Sequence, residues 1–135
     1  MVYNVYMSNY NSNSHPFKLG ADPVNLQWKV VRGDTARIRI EFYETDGTTY
    51  YNTSSWTYSS TAHDPKTDTF YTLTVTPASG YVDIVAPAQI TDDWGNGQKA
   101  IAGELTFDLQ VTISSQIWTP VIGTIVVISD VTLNA

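Results

Sequence analysis

The chain has 135 residues, no cysteine, and 13 acidic against 7 basic residues, for a formal net charge of -6. That length suits one domain with a real core, and the missing cysteine excludes disulfides and thiolate metal sites. The acidic balance argues against nucleic-acid binding, because phosphates call for basic surface. No apolar run approaches the roughly 20 residues that span a bilayer. The opening Met1-Val2-Tyr3-Asn4-Val5-Tyr6 has neither the basic n-region nor the apolar h-region of a secretion signal.

Residues 1–23 read as an N-terminal arm and linker. Val2, Val5, Tyr6 and Met7 are its few apolar anchors, and Ser8 to Ser14 is rich in Asn and Ser. Such a segment buries too little apolar surface to offset its own ordering entropy, so it should lie on the domain or on a neighbouring subunit. Residues 24–135 read as a β-sandwich domain. Leu26, Trp28 and Val30 alternate with Gln27, Lys29 and Val31 in a first strand. Arg32-Gly33-Asp34 forms the corner after it. The tripeptide is also an integrin-binding motif, but glycine supplying a turn is the simpler reading.

The cleanest alternation follows. Ala36, Ile38, Ile40 and Phe42 should face a core, while Arg37, Arg39, Glu41 and Tyr43 face water. Asp46-Gly47 signals a hairpin. Trp56-Thr57-Tyr58 opens the next strand, with Trp56 closing one end of the sandwich. His63 to Asp68 is a loop whose acids are too sparse for a calcium site. Tyr71, Leu73 and Val75 mark a further strand, and Val82 and Ile84 another. Pro87 to Trp94 is the one plausible helical turn, with the proline near its start and Asp92-Asp93 expected to favour the helix N-terminal region. A Gly-rich stretch, Gly95 to Lys99, reads as a loop. Leu105, Phe107, Leu109, Val111 and Ile113 form the second strong alternation. After the tight connection at Ser114-Ser115-Gln116, Pro120 implies an edge, a bulge or a break. Ile125-Val126-Val127-Ile128 is apolar on both faces and should be central or covered by a partner.

The pattern is an all-β fold, a single immunoglobulin-like sandwich of seven to eight strands with an extended N-terminal arm. No nucleophile, metal set or acid pair converges, so no catalytic, cofactor or metal residue is assigned. Glu104 and Asp108 share a strand face but stand roughly 13 Å apart, too far to flank one glycosidic bond.

Four stretches together carry a family likeness. They are Val31-Arg32-Gly33-Asp34-Thr35 leading an alternating strand; Asp46-Gly47 followed by a polar run into Trp56-Thr57; Tyr81-Val82-Asp83-Ile84 running into Pro87-Ala88-Gln89-Ile90; and Gly103 to Val111 with a return from Gly123 to Thr132. Over about residues 24–132 the chain resembles the immunoglobulin-like N-terminal module of tailed-phage upper baseplate proteins, which has relatives in tail fibres and other virion proteins. The resemblance implies a non-enzymatic virion structural protein, an adaptor or decoration subunit on the tail, baseplate or capsid surface. Its expected partners are other virion proteins in a symmetric assembly, with no nucleic acid and no membrane. The expected interface residues are Val2, Tyr3, Val5 and Tyr6 of the arm and Ile125, Val126, Val127 and Ile128 of the last strand. The alternative is a carbohydrate-binding, receptor-binding sandwich module in which an exposed Trp94 and neighbouring tyrosines stack on sugar rings.

Overall fold

The computed structural model of the protein describes residues 2–6, 23–44, 48–94 and 103–129. The Asp46-Gly47 turn, the loop from Gly95 to Lys99 and most of the expected arm lie outside the described residues. The elements are β1 (Val2–Tyr6), β2 (Val24–Val31), β3 (Ala36–Tyr43), β4 (Thr57–Asp64), β5 (Thr69–Ala78), β6 (Tyr81–Ala86), the short helix α1 (Ala88–Thr91), β7 (Gly103–Ile113) and β8 (Gln116–Ile128).

The strands hydrogen-bond in one continuous order, β1-β3-β6-β5-β4-β7-β8-β2. The ladder folds over at β5. The second half of that strand, Thr74 to Ala78, pairs with β6, while Ser60 to Asp64 of β4 pair with its first half, Thr69 to Leu73. This change of partner makes two layers from one ladder. The first sheet holds β1, β3, β6 and the end of β5; the second holds the start of β5, then β4, β7, β8 and β2. All pairs are antiparallel except β1 with β3 and β2 with β8. Those two parallel pairs place β1 and β2 at the two ends of the strand order.

The core lies between the layers, and the alternations build it. Ile38, Ile40 and Phe42 are buried from β3, and Leu105, Phe107, Leu109 and Val111 from β7. Val82 and Ile84 of β6, and Leu26, Trp28 and Val30 of β2, complete the facing surfaces. Burying one aliphatic or aromatic side chain contributes about 1.5–3 kcal/mol, so these rows fix the register of β2, β3, β6 and β7.

Pro120 sits at a bulge. Leu109 pairs with Val121 and Val111 with Trp118, so two residues of β8 oppose one of β7. The ladder gives way where proline has no N–H to donate. The β7–β8 turn uses two left-handed serines, Ser114 at φ 49° and Ser115 at φ 68°. Such a pair matches the primed turns that fit the twist of a tight hairpin. The helix begins after Pro87, as its proline suggests, but Asp92 is its C-cap. Asp92-Asp93 therefore sits at the C-terminal end, where the macrodipole does not favour acids; the N-terminal expectation for this pair is corrected.

Two expected contacts are also corrected: Ile125 and Val127 as interface residues, and Trp94 as an exposed sugar contact. Ile125 to Ile128 is central, as its doubly apolar pattern implies, because β8 is laddered on both sides, to β7 and to β2. Ile125 and Val127 are buried in the domain's own core, which leaves Val126 and Ile128 on the outer face. Trp94 is not exposed: its exposure is 0%. Its backbone carbonyl accepts a hydrogen bond from Arg32 Nε at 2.7 Å, and its ring meets Tyr71 edge-on at 6.2 Å. Thr91 Oγ1 donates to the Asp34 carbonyl at 2.6 Å, so the segment from α1 to Trp94 is strapped across the β2–β3 corner. A large apolar ring beside that strap gains more from the core than from water. Trp56 closes the opposite end, touching Phe42, Tyr51 and Trp118.

Candidate binding surfaces

Two outer faces carry the chemistry. The outer face of the first sheet is built on β3 and β6. Arg39 grips Asp83 in a fork, with Nε to Oδ1 at 2.8 Å and a second donor to Oδ2 at 3.2 Å. The register sets this up, since Arg39 and Asp83 are direct cross-strand partners. The same guanidinium lies over the Tyr81 ring, 4.1 Å from its centroid. One step along, Glu41 accepts from both neighbouring phenols, Tyr43 Oη at 3.0 Å and Tyr50 Oη at 2.7 Å. Tyr43 and Tyr50 stack with centroids 5.2 Å apart, and Tyr50 leans on Tyr81.

Tyr50 reaches this cluster because the chain doubles back after β3. Glu44 N donates to the Thr49 carbonyl, Tyr51 N donates to the Phe42 carbonyl, and Tyr43 bridges to Tyr50 antiparallel. Gly80, at φ +86°, lies directly under it; a Cβ there would collide with the Tyr50 side chain. The electrostatics follow the contacts. The hydrogen bond to Glu41 is the main reason the Tyr50 phenol is pushed up to about 12, because ionising it would place two negative charges side by side. The hydrogen bond from Arg39 holds the Asp83 carboxyl below the usual carboxylate range.

Next to this cluster runs β1. Its register sets Val2 opposite Arg39, Asn4 opposite Glu41 and Tyr6 opposite Tyr43. Among the described residues no strand pairs with the far side of β1, so its outer backbone groups form an open ladder edge. The arm residues Val2, Tyr3, Val5 and Tyr6 thus all sit on an end strand of the order.

The outer face of the second sheet differs. A groove of about 400 Å³ crosses it, lined by Asn25, Thr61, Thr106, Asp108, Ile122 and Thr124, with Phe107 and Gly123 at its base. Gly123 pairs with both Phe107 and Leu26. A Cβ at Gly123 would collide with the Leu26 carbonyl oxygen and lie 2.6 Å from Phe107 Cε1. The missing side chain is what lets the Phe107 ring cross under β8 to meet Trp28. Burial pushes the Asp108 carboxyl up, against a smaller lowering effect of a hydrogen bond from the Thr61 backbone. At the end of the β4–β5 hairpin, Phe70 is 67% exposed and stacks on His63 with centroids 4.3 Å apart. His63 Nε2 also pairs with Asp68 Oδ1 at 2.9 Å.

The remaining motifs are used within the fold. Arg32 of the Arg-Gly-Asp tripeptide is tied to Trp94, so the triplet is a corner rather than a presented loop. In the His63–Asp68 stretch, Asp64 Oδ1 accepts the Lys66 N–H at 2.9 Å, a turn-stabilising bond. Among the described residues no group of three or more His, Cys, Asp or Glu is placed to hold a metal ion, and no helix is long and apolar enough to cross a membrane.

No protein-family model matches the sequence, and no curated protein matches it. Among solved structures, the chain is similar to the N-terminal domain of phage TP901-1 ORF48. Sequence identity is 13%, coverage is 96% of this chain and 98% of that one, and the TM-score is 0.41.

Proposed function

We propose that this protein is a non-enzymatic structural subunit of a phage virion, an adaptor or decoration protein that docks on a tail, baseplate or capsid surface through its first sheet. The sequence resemblance to upper-baseplate modules motivates the setting. The observation that carries the docking face is the cluster of Tyr43, Tyr50, Tyr81 and Arg39 beside the open edge of β1. Tyr and Arg are the residue types that dominate binding energy at interfaces. Here Arg39, Tyr43 and Tyr50 are already held by Asp83 and Glu41, so docking freezes little additional rotamer freedom. The β1 edge adds main-chain donors and acceptors for strand addition. A repeated partner surface in a closed symmetric assembly would engage many copies at once. Saturation of these polar groups by one another also supports a binding role over a catalytic one, since no group is left poised to move a proton.

Mass spectrometry of gradient-purified virions, from the host culture that makes the chain, tests the setting. The chain should co-purify in a fixed ratio to the major virion proteins. Its absence from intact particles, with abundance only in the soluble lysate, would overturn the reading.

A further inference from the structure

The groove on the second sheet has a composition that the docking role does not use. Its walls follow two cross-strand rows. In one, Thr61, Asp108, Ile122 and Asn25 stand side by side across β4, β7, β8 and β2. In the next, Thr106 and Thr124 line the groove, and the same row runs on beyond it to His63 on β4 and Phe70 on β5. The lining therefore offers one carboxylate, one amide, three threonine hydroxyls and the exposed Ile122 side chain, and no cationic side chain. A phosphate or other anion would find an acidic wall there without a counter-charge. Across β4, β7 and β8 an extended peptide would find no ladder to join, because these strands are hydrogen-bonded on both sides; among the described residues only the outer edge of β2 lies beyond the groove.

Neutral, densely hydroxylated molecules are complementary to such a surface. A carboxylate and threonine hydroxyls take up sugar hydroxyls as acceptors and donors. The apolar face of a sugar ring packs on an aromatic side chain, and Phe70 offers one face while His63 backs the other. Phe70 and Thr106 are both cross-strand partners of His63, so they stand two strand spacings apart, roughly 10 Å. That separation matches two linked sugar rings rather than one. We propose that this groove binds a short neutral oligosaccharide, with Phe70 as the stacking platform and Thr106 and Asp108 of β7 holding ring hydroxyls. The sugar-binding residues thus differ entirely from the buried Trp94. The claim does not depend on the virion reading, because it concerns the isolated chain and the opposite face.

The test is a titration of the isotope-labelled full chain, followed by amide NMR shifts. The probes are trisaccharides of glucose, galactose, rhamnose and N-acetylglucosamine. At least one should shift the amides of Thr61, Thr106, Asp108 and Ile122, with a dissociation constant on the order of 1 mM or tighter. Phe70→Ala and Asp108→Ala should each weaken that binding about fivefold or more, equivalent to about 1 kcal/mol. Both residues are on the outer face, and an unchanged spectrum elsewhere confirms that the variants fold. The proposal is overturned if no probe shifts these amides, if the shifts map to another face, or if either variant binds as tightly as the parent.

Discussion

The two outer faces of this sandwich handle their polar groups in opposite ways. On the first sheet, every charged group in the cluster is answered from within: Asp83 by Arg39, and Glu41 by two tyrosines. On the second, Asp108 sits in a groove whose lining includes no cation, while Phe70 projects one ring face outward. The first arrangement makes a rigid surface with aromatic relief, suited to docking. The second leaves hydrogen-bonding capacity for a ligand. Both depend on a glycine in the layer beneath, Gly80 under Tyr50 and Gly123 beside Phe107. One ladder therefore gives two surfaces with different binding potential, and the difference comes from which residues the register sets opposite one another.

The largest expected effect comes from breaking the second face at its base. Gly123→Val forces a side chain against the Leu26 backbone and the buried Phe107 ring. It should cost about 3 kcal/mol and lower Tm by roughly 10 °C, read by thermal unfolding. Gly80→Ala attacks the first face through both its left-handed backbone and the Tyr50 contact. A loss of about 1–2 kcal/mol is expected, with Tyr50 displaced from Glu41.

Acid unfolding sharpens the contrast. Asp83 is held below its ordinary range, so its stabilising contribution is present above that range and is lost as pH falls through the depressed value. Asp108 is raised, so ionising it disfavours the fold, and stability is regained as pH falls through its raised value. Asp83→Asn should reduce stability at neutral pH and flatten the acid limb of the stability profile. Asp108→Asn should raise Tm at neutral pH by roughly 1–2 °C and remove the gain on mild acidification. The smallest effect is spectroscopic. The contact with Glu41 pushes the Tyr50 phenol up to about 12, and Glu41→Gln should bring it back toward the ordinary tyrosine value in an absorbance titration.

Much of the scaffold is legible in the chain. The alternations of β3 and β7 name their core rows correctly, Pro120 marks the bulge, and the doubly apolar Ile125 to Ile128 marks an inner strand. Those features are local and arise from the two-residue period of a strand. The rest depends on pairing between distant residues. Nothing in β5 itself says that it changes sheets at its midpoint. Trp94 reads as exposed because a Gly-rich stretch follows it, whereas the strap across the β2–β3 corner, Arg32 to Trp94 and Thr91 to Asp34, puts it in the core. The spacing of Glu41 and Tyr43 hints at a shared face, but the return of Tyr50 to meet them does not show in the pattern. The groove is hidden for the same reason: its walls come from β2, β4, β7 and β8, brought together only by the register.

Hydroxyl-radical footprinting compares the faces most directly, on the purified chain and on intact virions. In the free chain both Tyr50 and Phe70 should be oxidised, since they are 42% and 67% exposed. In the particle, the account predicts that Tyr43, Tyr50 and Tyr81 become protected while Phe70 stays reactive. Protection of Phe70 with Tyr50 still open would contradict it, and would place the docking surface on the second sheet instead.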